Sequence, residues 1–341
     1  GMGALSAPEC DRLVAAFDAV VRGSDALRSV VVDRVGDGPI IRVLAAPPIT
    51  TSVIDLPVDD VDDWATTRIA TPVDPTVCAY DSVLLRHDDS HWTWWLDLHH
   101  LVTDAWGASE VFRSTSEYYG QIAENLPLSD PGPSFYDYVD ATAERFTRGR
   151  PERTAHWATL TIDETPLAPF GPRAAATTCV ERLPVPIDPR IEEALAGPYR
   201  TLSRELSLIG VLASALAVVL HRLDGRRTLT FGVPLHHRSG PIAPRVIGPL
   251  MELYPLTVEM GDDETFAELF GRVQRNLLDT MRQAKPGESP DLPFVGVLNV
   301  LTAQFGDFAG LPTVTDWWRS GHVDPAHPIR LHAYDYGDGL R

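Results

Sequence analysis

The sequence predicts an α+β fold, and three patterns in it predict that class. Two short hairpins, signalled by Asp37-Gly38 and by Asp88-Asp89-Ser90, lie in the first third of the chain between stretches of helical periodicity. A nearly continuous apolar run over 208–220 is followed by alternating strand-like and helix-like segments. Between the halves, Pro166, Pro169, Gly171 and Pro172 interrupt regular structure. Each half thus combines helices and strands that bury an apolar face only against one another.

Taken in order, residues 7–27 place Leu13, Phe17, Val20 and Val21 at helical spacing. Residues 28–35 and 40–44 read as strands joined by the Asp37-Gly38 turn. The Pro- and Asp-rich stretch 57–75 reads as loop with at most one helical turn. Residues 82–86 and 91–98 form the second hairpin, and 105–119 follows as a helix with Trp106, Val111, Phe112 and Tyr118 on its apolar side. Residues 136–146 continue as helix, 155–160 as a turn or two, and 163–172 as the linker. Beyond it, 177–183 reads as a strand and 208–220 as a helix buried on most sides. Residues 229–233, 252–260 and 294–301 read as strands, with an amphipathic helix over 265–281.

The candidate chemistry lies where the second hairpin hands over to a helix: His99-His100-Leu101-Val102-Thr103-Asp104-Ala105-Trp106. Side chains alternate faces along a strand, so His99 and His100 cannot both enter one cavity while strand geometry lasts. Asp104 stands where a side-chain oxygen caps the following helix. The spacing alone supports a satisfied core histidine pair as well as a catalytic one. No third ligand stands at a zinc-site spacing, so no metal is expected. His236 and His237 form a second pair, without a downstream aspartate, and read as loop residues.

With its surroundings, this stretch resembles the His-His-x-x-x-Asp-Gly core motif of condensation domains of nonribosomal peptide synthetases, within the chloramphenicol-acetyltransferase-like acyltransferases. Further segments match in the same order. Ser134-Phe135-Tyr136-Asp137-Tyr138 resembles the family's Tyr-x-Asp-Tyr motif, and Ala155-His156-Trp157 its tryptophan segment. Gly232-Val233-Pro234 with Arg238 resembles its Gly-x-Pro-x-x-x-Arg segment, and Ile247-Gly248-Pro249-Leu250-Met251-Glu252 its Ile-Gly-x-Phe-Val-Asn stretch.

The resemblance implies an αβ sandwich of two chloramphenicol-acetyltransferase-like subdomains set in a V, 1–165 and 166–341, with the active-site tunnel between them. It also implies a chain trimmed at both ends relative to the family. The implied reaction is attack of an amine, or a hydroxyl, on a thioester held on the phosphopantetheine of a carrier protein. His100 takes the catalytic position, while His99, Asp104 and Ala105 shape the motif. Trp106, Met251, Glu252 and Asn299 are possible tunnel positions, and Tyr136, Asp137 and Tyr138 are read as packing. The basic cluster Arg145, Arg148, Arg150 and Arg153 is the candidate docking patch for an acidic carrier. The domain itself is expected to bind no cofactor, and its partners to be carrier and other synthetase domains. Three positions depart from the family: Ala105 replaces the glycine, Glu252 replaces the asparagine, and Asp81 stands where the arginine partner of the motif aspartate is expected. An inactive module that docks a carrier protein or recruits an enzyme, and a free-standing transferase using coenzyme A, are the alternatives.

Composition narrows the remaining classes. At 341 residues, 44% hydrophobic and 22% charged, the chain is ample for a buried core. A formal net charge of −18 opposes nonspecific attraction to nucleic acid or anionic lipid. No uninterrupted apolar run approaches a membrane span and no signal-peptide pattern opens the chain, so a cytoplasmic protein is expected. Cys10, Cys78 and Cys179 are odd in number and widely spaced, which fits reduced core thiols rather than a disulfide framework.

Overall fold

The computed structural model describes residues 7–34, 38–88, 91–160, 162, 183, 185, 187–197, 199, 200, 202–302, 305–318 and 329–334. The linker over 163–172, Cys179 and, save its last residue, the strand expected over 177–183 lie outside them; that last residue, Leu183, is exposed and in no strand. Helices and strands occur in both halves, and the α+β class holds.

The chain divides into two compact units. Unit 1 comprises Gly1–Thr142, Arg238–Leu250 and Ala303–Ser320, and unit 2 comprises Ala143–His237, Met251–Thr302 and Gly321–Arg341. The units therefore interleave along the sequence. A single cut near 165 assumes contiguous subdomains, and nothing in local periodicity shows that 238–250 leaves its own half.

In unit 1, α1 (Ala7–Gly23) packs Leu13, Phe17, Val20 and Val21 into the core, as their spacing requires. It stops four residues before the expected end. There Ser24 Oγ accepts the Leu27 amide at 3.2 Å and Asp25 accepts the Ala26 amide at 2.9 Å, local bonds that compete with the helical ladder. β1 (Ser29–Arg34) and β2 (Gly38–Val43) pair antiparallel. A second sheet has the order β3 (Ser52–Asp55), β4 (Tyr80–Arg86), β5 (Trp92–Leu98), with β3 parallel to β4 and β5 antiparallel to it. Alternation along β4 sends Tyr80 and Leu84 into the cluster around Phe17, and Val83 and Leu85 into a second one with Ala65 and Trp95. α2 (Val61–Ile69), preceded by a 3₁₀ turn at Val58–Asp60, replaces the loop expected over 57–75. Asp62 and Asp63 in its first turn suit the helix N-terminus, and Ala65 anchors its inner face. α3 (Ala105–Ala123) buries Val111 and Tyr118 of the apolar side read from the sequence and half-buries Phe112, whereas Trp106, in its first turn, is exposed.

α4 (Phe135–Phe146) begins on a cap supplied from far upstream. Asp25 accepts Ser134 Oγ at 2.6 Å and the amides of Phe135 and Tyr136 at 2.9 and 3.2 Å, while Tyr136 Oη meets Ser29 Oγ at 2.7 Å. Of the stretch read as packing, Phe135 and Tyr138 pack against Ala243, Val246 and Leu250 and Tyr136 is half-buried, whereas Asp137 is exposed.

In unit 2, α5 (Arg150–Ala158) and α6 (Pro189–Ala196) precede α7 (Arg204–Asp224), capped by Ser203 and ended by Gly225 at φ 79°. By length and composition α7 is apolar enough to cross a membrane. Its buried face, with Ile209, Ala213, Ala217 and Leu220, packs as a core helix of this unit. The sheet runs β7 (Glu252–Glu259), β6 (Thr228–Leu235), β8 (Gly296–Leu301), β9 (Arg330–Tyr334). β7 is antiparallel to β6, while β8 and β9 run parallel. α8 (Phe266–Gln283) leads from β7 toward β8 and starts on a reciprocal Thr265–Glu268 capping box. β3 and β9 have no counterpart in the sequence reading; both are short and give little periodicity.

Candidate active site

β5 ends at Leu98 and the chain turns at once. The His99 amide still donates to Ala79 O at 2.9 Å, while the His99 carbonyl accepts the Val102 amide at 3.0 Å. His99 Nδ1 accepts the Leu101 amide at 3.0 Å, so the neutral ring carries its proton on Nε2. Burial, and then the neighbouring His100, lower this imidazole below the ordinary 6.5. His100 lies in the turn and is exposed. His99 is thus half-buried and holds the turn, while His100 is exposed within it.

Asp104 has extended backbone and caps α3, its Oδ1 accepting the Gly107 amide at 2.7 Å. The same oxygen accepts Arg238 Nη2 at 2.8 Å, and Oδ2 accepts the Leu250 amide at 2.9 Å. Arg238 also donates to the carbonyls of Ala243, Val246 and Gly248 at 3.0, 2.7 and 2.8 Å. The side chains of Arg238 and Asp104 are only 4% and 1% exposed. This corrects the expectation about Asp81, which is engaged by Arg68 Nε and Nη2, both at 2.7 Å. The arginine of Asp104 comes from the 238–250 segment, 134 residues downstream, a distance at which sequence register carries no information. The only sequence signal for it is the arginine closing the Gly-x-Pro-x-x-x-Arg segment.

Ala105 is the first residue of α3 and does not have a positive φ. The glycine expected there is not required by the backbone. Glycine is required two residues later, since a Cβ on Gly107 lies 2.3 Å from Thr103 Oγ1 and 3.2 Å from Gly248 O. That close approach lets the segment bearing Leu250 reach Asp104.

Two residues before His99, Asp97 stands opposite Asp81 in the β4–β5 register. Burial, then the Asp81 charge, raise the Asp97 carboxyl above its ordinary value, against the opposing charges of His99 and Arg68. The Arg68 guanidinium is strengthened in its charged form by its bonds to Asp81.

The other expected site residues are spread over both units. Trp106 is exposed on the first turn of α3 in unit 1, while Met251, Glu252 and Asn299 belong to unit 2. Glu252 holds a loop: it accepts the Gly287 and Ser289 amides at 2.6 and 3.2 Å and Tyr254 Oη at 2.9 Å. Of the basic cluster, Arg150 donates to Glu288 at 3.2 Å, and Arg153 donates to it through Nε and Nη2 at 2.5 and 2.6 Å. Arg153 thereby holds the Glu288 carboxyl below its usual range. Arg145 stacks over the Phe146 ring at 5.4 Å. His236 pairs with Glu205 at 2.9 Å, and the His237 ring packs edge-on against Tyr254. Among the described residues no three His, Cys, Asp or Glu side chains gather as a metal site requires.

Comparison with known proteins adds the following. The family model described as "Condensation domain" matches residues 6–287. An isonitrile lipopeptide synthase of Streptomyces coeruleorubidus is 26% identical over 296 residues, 81% of this chain and 20% of that protein. A dimodular nonribosomal peptide synthase of Bacillus subtilis is 24% identical over 89% of this chain and 13% of its own length. The chain therefore spans a fifth or less of these two relatives. Among solved structures, a variant of the starter condensation domain of rhizomide synthetase in complex with C8-CoA superposes with a TM-score of 0.80. That match has 19% identity and covers 99% of this chain and 80% of the other. The first condensation domain of the calcium-dependent antibiotic synthetase, with a substrate analogue, gives 0.75 at 20% identity, over 99% of this chain and 82% of its own.

Proposed function

The chain belongs to the condensation-domain family, whose members are acyltransferases that form amide bonds, and from that premise we propose that it transfers an acyl or aminoacyl group from the phosphopantetheine thioester of a carrier protein to an amine. The observation that carries this reading is the exposed His100 on a turn fixed from both sides. His99 holds its start, and Asp104, locked to Arg238 and Leu250, holds its end.

In this reading the amine nitrogen attacks the thioester carbonyl, the C–N bond forms, and the C–S bond breaks to release the pantetheine thiol. An α-amino group with a pKa near 8 is already about one-tenth neutral at pH 7. His100 therefore orients the amine and takes the proton the nitrogen sheds, which then leaves with the thiol. For a hydroxyl acceptor His100 acts as a full general base, worth about 10²–10⁴-fold. Carrier and neighbouring synthetase domains are the partners this reading requires. The C8-CoA bound to the rhizomide domain supports acyl-coenzyme A as an alternative donor.

The test is single-turnover transfer from a loaded carrier protein and from an acyl-coenzyme A, wild type against His100→Ala, with folding checked by thermal melting. Loss of most turnover in the variant supports the assignment. Equal rates in the two proteins remove the catalytic role and leave a docking module. Glu252, whose carboxylate occupies the family's asparagine position and holds the 287–289 loop, favours that second reading.

A further inference from the structure

We propose that Asp97, which lies outside the His-His-x-x-x-Asp pattern, is the electrostatic partner of the histidine pair and a positioning residue for chemistry at His100. The aspartate of the pattern is committed elsewhere. Asp104 gives both oxygens to Arg238, Gly107 and Leu250 in a buried site, and its charge is balanced there by a guanidinium. Asp97 stands two residues before His99, about 7 Å along an extended chain, at the end of β5.

The charged and titratable groups around it come from four directions. Across the sheet stands Asp81, in register with Asp97 on β4. From α2, Arg68 directs two donors to Asp81 and offsets that carboxylate first. Just before β4, the buried Cys78 thiol is pushed up by burial and stays neutral. Beyond Asp97 are His99 and then His100. Of the groups acting on the His99 ring, His100 opposes its protonation and Asp97 favours it, which agrees with the placement.

The consequence for catalysis follows from where the proton goes. When His100 takes a proton from the attacking nitrogen, positive charge appears beside a half-buried ring whose Nδ1 is already used as an acceptor. An anion two residues before His99 lowers the cost of that charge and keeps His99 in the tautomer that holds the turn. The catalytic half of this inference rests on the acyl-transfer reading; the electrostatic half does not.

The two halves are tested separately. In protein labelled with ¹⁵N-histidine and without substrate, the His99 resonances are assigned by their loss in His99→Gln and titrated in wild type and Asp97→Asn. The His99 midpoint is expected to fall in Asp97→Asn by about 0.4 pH unit or more, the effect of one charge near 7 Å under full water screening. Wild-type His99 is also expected to show a second inflection at acid pH as Asp97 takes its proton, absent from the variant. An unchanged midpoint in folded Asp97→Asn overturns the proposal. If that variant does not fold, a wild-type titration with one inflection overturns it instead. For the catalytic half, the acid limb of the single-turnover pH profile is expected to move to lower pH in Asp97→Asn. A uniform loss at every pH assigns Asp97 a purely structural role and overturns the positioning claim. A wild type without transfer activity defeats the acyl-transfer reading while leaving the titration decisive.

Discussion

The Asp104–Arg238 ion pair is buried on both sides. Both charges are out of water, so deleting one partner leaves the other buried and uncompensated. Asp104→Ala and Arg238→Ala are each expected to lower unfolding stability by about 3–5 kcal/mol, and the double variant by much less than the sum, as denaturant titrations will read. His99 gives a pH prediction with a definite sign. Its folded-state value lies below the ordinary 6.5, so the neutral ring contributes stability above 6.5 that is lost as pH falls through the lowered value. The Leu101 amide, whose acceptor is His99 Nδ1, should lose hydrogen-exchange protection over that same acid range. Unchanged protection there refutes the tautomer assigned to His99.

Among the elements, α4 depends on a cap that no local pattern announces. Asp25 accepts the two leading amides of α4 and the Ser134 hydroxyl from a turn more than a hundred residues away. Burial alone pushes the Asp25 carboxyl up, but the Ser134 hydroxyl and the amides of Phe135, Tyr136 and Ala26 together hold it below 3.8. Its contribution is therefore present above 3.8 and lost as pH falls through the depressed value. Asp25→Ala should cost about 1–2 kcal/mol in thermal or denaturant unfolding, with α4 exchanging faster. Where a helix brings its own signals the sequence is explicit. Thr265 and Glu268 spell out a capping box and α8 begins there, whereas the Asp-rich start of α2 reads equally as loop until Ala65 is seen to be buried.

For the molecule as a whole, the net charge of −18 makes any encounter with an acidic carrier depend on a local basic surface. Arg150 and Arg153 are occupied by Glu288, which leaves Arg145 and Arg148 as the half of the cluster suited to such an encounter. Arg145→Glu with Arg148→Glu should slow carrier association by about tenfold or more at low ionic strength and have little effect at high salt. An association rate indifferent to both reversals removes the docking role.

The sequence by itself determined the α+β class, most of the helices and central strands, the family, and the place of His99-His100 between a strand and a helix capped by Asp104. Those properties are written in periodicity, turn residues and short ordered motifs, which act over a few residues. Only the tertiary structure decided that the 238–250 segment joins unit 1, that the arginine meeting Asp104 is Arg238 rather than one at position 81, and that Asp97 stands beside Asp81. Each of these depends on register or on contact between distant segments. Hydrogen bonding and charge act through space, and residues 134 apart become partners only after the chain between them has folded.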